Sequence, residues 1–314
     1  MNKTALVLGA TGGVGGAVAR ALAEHGWAVS ALARNPAKIS AASFAVVRGD
    51  ASNREDVMAA AQGAAVIVHA VNPPGYRGWD RLVMPMLDNT VAAAERTGAR
   101  IAFPGTVYNY GPDASPVLSE DTPQHPATRK GALRVAMETR LAEAARRGKA
   151  RVLILRAGDY FGPMPGNSWF SQALVKPGER VRRIVYPGPF DVGHAWAYLP
   201  DVGETFVRLL EGETRLEPFA RFHLGGHWLE PGIDMAATIR AVLDREIPVR
   251  KLPWRLIALA APFNETLREL REMRWFWQRA LYLNNARLKA FLGEEPLTPL
   301  PAAVAATLKG LACT

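Results

Sequence analysis

The stretch Thr4-Ala5-Leu6-Val7-Leu8-Gly9-Ala10-Thr11-Gly12-Gly13-Val14-Gly15-Gly16 decides the fold of this 314-residue chain. Thr4 to Leu8 read as a short buried strand, and Val14 to His25 carry apolar residues at helical spacing. Gly9, Gly12 and Gly15 therefore fall on a strand-to-helix turn. Each glycine has its own task there. Gly9 permits the tight turn, Gly12 removes the Cβ that would block a pyrophosphate, and Gly15 lets the helix pack close to the strand. The unpaired amides of the first helical turn and the positive end of its dipole then receive the phosphates. Gly9, Thr11, Gly12, Gly13, Val14 and Gly15 are the expected dinucleotide cradle.

Outward from this turn, strand-like runs recur at Trp27 to Ala33, Phe44 to Arg48, Ala65 to Ala70, Arg100 to Phe103 and Arg151 to Arg156, with helical patterns between them. Such alternation predicts an α/β fold, a Rossmann-type doubly wound parallel sheet with right-handed crossovers and the ligand at the carboxyl ends of the strands. After Arg156 the chain becomes dense in Pro, Gly, Trp and Arg as far as about Tyr198. It then returns to a helix at Asp201 to Glu211, a strand at Phe219 to Leu224 and a helix at Ile233 to Leu243. The expected division is a dinucleotide-binding domain over 1–160, with later returns at about 200–225, and a smaller interleaved C-terminal substrate lobe over 161–199 and 226–314.

The residue types select the dinucleotide. An acidic residue after the second strand would hold the ribose hydroxyls of NAD, but the strand ends Leu32-Ala33-Arg34-Asn35. Arg34, helped by Lys38, can instead grip a 2′-phosphate, which makes NADP the expected cofactor ahead of NAD. Asp50, followed by Ala51, is placed to accept from the adenine amino group. The small residues of Ala70-Val71-Asn72 permit close approach along the cofactor.

The order of these signals resembles the short-chain dehydrogenase/reductase superfamily, in its extended epimerase/dehydratase branch. The likeness rests on the glycine turn, Asp50, Gly105-Thr106-Val107-Tyr108-Asn109-Tyr110-Gly111, Arg156 to Pro163, and Tyr198-Leu199-Pro200-Asp201-Val202. It implies that Thr106 polarises the substrate oxygen. It also implies a Tyr-x-x-x-Lys pair on the following helix, and here the chain departs. No tyrosine lies between Tyr110 and Tyr160, and the two positions match Lys130 and Arg134. The proton donor is then Lys130, or a phenol from Tyr108 or Tyr110; alternatively Lys130 binds cofactor. In the later segment Asp159 is assigned to the cofactor. Tyr160, Trp169, Arg180 and Arg183 are assigned to the substrate, since guanidinium groups fork anions and aromatic faces stack on rings.

Composition narrows the class. Hydrophobic residues at 49% and charged residues at 21% describe an ordinary globular protein, and one cysteine, Cys313, allows no disulfide framework. The net charge of +9 is scattered, with dense clusters only at Arg146-Arg147-Lys149 and Arg180-Arg182-Arg183. It is better matched to anionic small molecules than to nucleic acid. Leu256 to Phe263 is too short to span a bilayer, and the strand at the start leaves no room for a signal sequence, so a cytoplasmic protein without membrane partners is expected. His223 and His227 are separated by Leu224-Gly225-Gly226, which breaks any metal-binding helix, and no metal is expected. Trp275-Phe276-Trp277 reads as a packing or homodimer element. The resulting expectation is an NADP-dependent oxidoreductase or nucleotide-sugar epimerase/dehydratase-like enzyme with a small polar carbonyl or hydroxyl substrate. The alternative is a catalytically silent NADP-binding redox sensor.

Overall fold

The computed structural model describes residues 3–39, 44–73, 78–164, 166 and 168–314. In chain order its elements are β1 (Thr4–Leu8), α1 (Gly13–Glu24), β2 (Ala28–Ala33), β3 (Ala45–Arg48), α2 (Arg54–Ala60), β4 (Val66–His69), α3 (Trp79–Thr97) and β5 (Arg100–Gly105). There follow β6 (Val117–Leu118), α4 (Arg129–Arg146), β7 (Arg151–Arg156), β8 (Asp159–Phe161), β9 (Ile184–Tyr186), β10 (His194–Tyr198), α5 (Leu199–Glu211) and β11 (Phe219–His223). The C-terminal part adds β12 (His227–Leu229), α6 (Asp234–Leu243), β13 (Val249–Lys251), α7 (Trp254–Ala260), α8 (Glu265–Glu272), β14 (Tyr282–Leu283), α9 (Ala286–Leu292) and α10 (Leu300–Gly310).

The central sheet has seven strands in the order β3-β2-β1-β4-β5-β7-β11, every neighbouring pair parallel. Its inner strands are apolar at successive positions, as in Val66-Ile67-Val68 and Val152-Leu153-Ile154-Leu155, because helices cover both faces. Val18 and Leu22 of α1 pack with Val202 and Phe206 of α5 on one face. Val83, Leu87, Met137 and Leu141 of α3 and α4 pack on the other. The reversal of strand order falls between β1 and β4, so the switch-point crevice opens beside the glycine turn.

The remaining strands form small sheets outside this layer, β12-β10-β8, β13-β9 and β14-β6. Their core is aromatic: Phe161, Phe170, Tyr186, Trp196 and Trp277 are buried together. The chain leaves the main sheet after β7, and β8, which begins three residues on, pairs with β10, Asp159 opposite Trp196. That short step carries the chain from the carboxyl edge of the sheet into the aromatic layer.

Candidate active site

The glycine turn has the geometry its sequence demands. Gly9 sits at φ +93°, where an L side chain is strained, and a Cβ there would lie 2.5 Å from the Ala70 carbonyl oxygen. A Cβ on Gly15 would lie 2.3 Å from the Gly9 carbonyl oxygen, so α1 can begin this close to β1 only as glycine. Gly12 is different: exposed, it caps α1 without a side chain, and its Cβ would meet only the Gly9 oxygen, at 3.3 Å. A side chain at Gly12 would thus project into open space ahead of the first-turn amides of Gly13, Val14 and Gly15, where a pyrophosphate fits. Thr11 is exposed on the same turn.

Close packing of Gly9 on the residues after β4 brings Ala70, Val71 and Asn72 beside the cradle. Asn72 is exposed, and its Oδ1 accepts from Arg134 Nη2 at 3.3 Å. Arg134 also donates to the Pro104 carbonyl at 3.5 Å, and its guanidinium lies 5.3 Å from the Trp79 ring centroid. Thr128 caps α4 by accepting from the Gly131 amide, which fixes the first turn. Lys130 and Arg134, four residues apart on one face, are accordingly both buried at the carboxyl edge of the sheet. At the far end of the cradle, Arg34 is exposed immediately after β2. The Asp50 Oδ1 accepts from the Ser52 amide and hydroxyl, while Asn53 is the residue that caps α2. Ala51 is buried, its carbonyl accepting from Asn89. The side chain of Lys38 lies outside the described residues.

Thr106 caps the short turn after β5: its Oγ1 accepts from the Tyr108 amide at 3.3 Å and donates to Asn109 Oδ1 at a long 3.5 Å. A buried polar network holds this turn from behind. Arg156 donates to the Thr106 carbonyl and to Glu138 Oε2, the latter at 2.7 Å, and Glu138 accepts in addition from Asn109 and Gln124. Sequence reasoning missed Glu138 and Gln124 as parts of the site, since their partners are remote in sequence.

The two candidate phenols separate. Tyr108 lines a pocket, its ring tilted over Phe276 at 5.1 Å. Tyr110 is fully buried with Arg156 over its ring, and burial pushes its phenol up. This corrects the expectation that either could serve, because a phenol enclosed in the core reaches no substrate. Tyr160, expected at the substrate, is half-buried beside the end of β5. Its hydroxyl donates to the Gly105 carbonyl at 3.4 Å, at the end of β5, and burial pushes it up to about 12. Arg180 and Arg183 are exposed on the turn leading into β9 and do not line the Tyr108 pocket, whereas Trp169 does.

The pocket runs between the ends of β5 and β7 and the aromatic layer, and Asp159 and His194 face each other in it. His194 Nε2 and Asp159 Oδ2 are 2.8 Å apart, with the His194 ring stacked on Trp277 at 3.8 Å and 8°. Asp159, the residue expected at the cofactor, is paired with His194 and lines this pocket. Among the described residues no cluster of three or more His, Cys, Asp or Glu side chains could hold a metal ion. Nor, among them, is any helix long and apolar enough to cross a membrane.

Residues 5–225 match the model of the NAD dependent epimerase/dehydratase family. The chain belongs to that family. A 3-diazoavenalumate denitrifying reductase from a Streptomyces species is 32% identical over 175 residues, spanning 51% of this chain and 57% of that protein. The match thus covers little more than half of the relative's length. Among solved structures, the UDP-glucose-4-epimerase from Stenotrophomonas maltophila, with bound NAD and formylated UDP-arabinopyranose, superposes with a TM-score of 0.79 at 16% identity, over 98% of both chains. A Bacillus cereus UDP-glucuronic acid 4-epimerase in complex with NAD gives 0.77, again at 16% identity over 98% of both chains. At this identity the likeness is one of fold. Nicotinamide dinucleotides are the cofactors of the family, and this cradle fits one.

Proposed function

We propose that this family member is an NADP-dependent oxidoreductase acting on a small carbonyl or hydroxyl substrate held beyond Thr106. One observation carries the reading. The glycine cradle packs directly on Ala70 and Val71, and a pocket lined by Tyr108, Asp159 and His194 opens next to the turn that Thr106 caps. When bound, the nicotinamide supplies or accepts the hydride. The chain's own residues do the rest. The amides of Gly13 to Gly15 receive the pyrophosphate, Arg34 takes the 2′-phosphate, and the Thr106 hydroxyl, whose own donation is weak, turns to the substrate oxygen.

Lys130 stands where the family's tyrosine is expected, so the chemistry need not be that of the epimerases it superposes on. The name of the Streptomyces relative, a reductase, favours reduction. Calorimetry with NADPH and NADH, followed by single-turnover NADPH oxidation against ketones, aldehydes and UDP-sugars, tests the proposal. The expected result is tighter NADPH binding and oxidation by at least one carbonyl compound. Tight NADPH binding with no turnover across the panel would replace it with the silent sensor.

A further inference from the structure

His194 and Asp159 remain without a task. They open two paired strands of the small sheet, β10 and β8, and their side chains are 10% and 15% exposed. Trp277 lies flat against the imidazole, and Trp196 meets it edge-on at 5.2 Å. This is a preset ring: one face is occupied by indole and one nitrogen by a carboxylate. With Nε2 on Asp159, Nδ1 is the nitrogen left to exchange a proton with an occupant of the pocket. A carboxylate on the far nitrogen is the arrangement that fixes a tautomer and stabilises an imidazolium.

The enclosed space is only about 20 Å³, so an occupant must part these walls, and their chemistry selects it. Tyr108, Trp169 and Phe276 supply aromatic surface, with Val107, Met273 and Leu281 beside them. Asp159, His194 and Arg279 are the charged or titratable side chains besides Tyr108. A sugar ring carries a hydroxyl on nearly every carbon, and burying those needs more partners than this lining offers. A flat conjugated group needs only faces to stack on.

Resting on the oxidoreductase reading, we infer that His194, positioned by Asp159, is the acid–base group of this pocket and serves a carbonyl conjugated to a planar apolar group. In the reducing direction a hydride from a reduced nicotinamide adds to the carbonyl carbon. The C=O π pair moves onto oxygen beside the Thr106 hydroxyl, and that oxygen takes the proton from Nδ1 of the His194 imidazolium. The nicotinamide is oxidised, the carbonyl becomes an alcohol, and His194 is left neutral, to be reprotonated from water. This supplies an acid where α4 carries no tyrosine.

The test uses the full chain with cinnamaldehyde as probe and UDP-glucose as comparison. In protein labelled with 15N-histidine and saturated with NADP+, the His194 signals are those lost in His194→Gln. They are expected to show the Nε2–H tautomer, to lose it in Asp159→Asn, and to move with cinnamaldehyde but not with UDP-glucose. In single-turnover NADPH oxidation by cinnamaldehyde, His194→Gln is expected to be slower by about 10²- to 10⁴-fold, with NADPH affinity unchanged within twofold. Asp159→Asn, which keeps the imidazole, is expected to lose less. Full-rate turnover by His194→Gln, or His194 signals that ignore cinnamaldehyde, would overturn the inference while leaving the oxidoreductase reading intact. Absence of turnover by the wild type on every carbonyl despite NADPH binding would overturn that reading, and the acid–base role with it.

Discussion

Glu138 on α4 and Arg156 at the end of β7 form an ion pair at 2.7 Å with side-chain exposures of 5% and 3%, and through it α4 is fastened to the turn that carries Thr106. Burial is the largest single influence and would lower the Arg156 pKa, but the charge and hydrogen bond of Glu138, with Tyr110 and Tyr160 beside them, together raise it. Two charges taken this far from water stay there only while they satisfy each other. Glu138→Gln, which removes the charge and turns an amide N–H toward existing donors, is expected to destabilise the protein by about 3–5 kcal/mol. The double variant Glu138→Leu/Arg156→Met should recover part of that loss, because neither charge is then buried alone. Urea unfolding of the two variants checks this, and a loss below about 1 kcal/mol for Glu138→Gln would refute it.

His69 and His223 link stability to pH. His69, its Nδ1 on Thr90 Oγ1 at 2.7 Å, and His223, its Nδ1 on the Leu118 carbonyl, are both held down to about 3, chiefly by burial. Their folded values lie below the unfolded value near 6.5, so their contribution is fully present above pH 6.5. It is lost as pH falls toward 3, because the unfolded chain binds two protons that the folded one refuses. Each histidine costs about 1.4 kcal/mol per pH unit in that window. His69→Leu should reduce the slope of stability against pH between 6 and 4 by about one proton, whatever it does to stability at pH 7. An unchanged slope would show that His69 does not titrate on unfolding.

Gly12 and Gly15, three residues apart, should fail in opposite ways. Gly15→Ala puts a methyl 2.3 Å from the Gly9 carbonyl oxygen and is expected to destabilise the fold itself. Gly12→Val makes one close contact in the free protein, 3.3 Å from Cβ to the Gly9 carbonyl oxygen, but fills the place of the pyrophosphate. It should melt close to the wild type and lose the stabilisation that saturating dinucleotide gives, about 2.7 kcal/mol at a hundredfold excess over Kd. Thermal melts with and without NADPH decide it; a full cofactor shift in Gly12→Val would remove the glycine turn from the binding site.

The cofactor half of this site was legible because its determinants are local. Gly9 to Gly15 form one turn, and the runs at β1, β4 and β7 are apolar at successive positions, which suits strands covered on both faces. The substrate half was not. Asp159 and His194 are 35 residues apart, in a stretch whose prolines, glycines and tryptophans carry no period, and they meet only because β8 pairs with β10. Tyr110 and Tyr108 are two residues apart in one motif, yet one points into the core and the other into the pocket. Sequence spacing marked both as phenols near the site. It could not report which of them the Arg156 guanidinium would cover.

Arg34 is expected to set the cofactor preference. It stands exposed at the end of β2 where an acid would serve NAD, and on the proposed reading a 2′-phosphate is its partner. A charge-assisted contact is worth about 1.5–3 kcal/mol, and Arg34→Ala should therefore weaken NADPH roughly 10- to 150-fold and leave NADH nearly unchanged. Calorimetry on both proteins measures it. Equal wild-type affinity for the two cofactors would dismiss the NADP assignment without touching the glycine cradle.

Thr106 gives the sharpest separation of binding from chemistry. Its hydroxyl accepts from the Tyr108 amide, which positions the pocket wall, while its own hydrogen is spent on a long contact to Asn109. Thr106→Val removes both, Thr106→Ser neither. Loss of the cap should cost about 1 kcal/mol of stability. Loss of a donor aimed at a developing oxyanion should cost about 10²- to 10³-fold in single-turnover NADPH oxidation, with NADPH affinity unchanged. Lys130→Met and Tyr108→Phe, measured beside it, divide the remaining candidates. If His194 is the acid, Tyr108→Phe keeps most of the rate. A Lys130→Met variant that binds NADPH normally but is inactive would return the proton to the lysine on α4. Should Thr106→Val turn over as fast as Thr106→Ser, the threonine is only a cap, and the substrate oxygen is held elsewhere in the pocket.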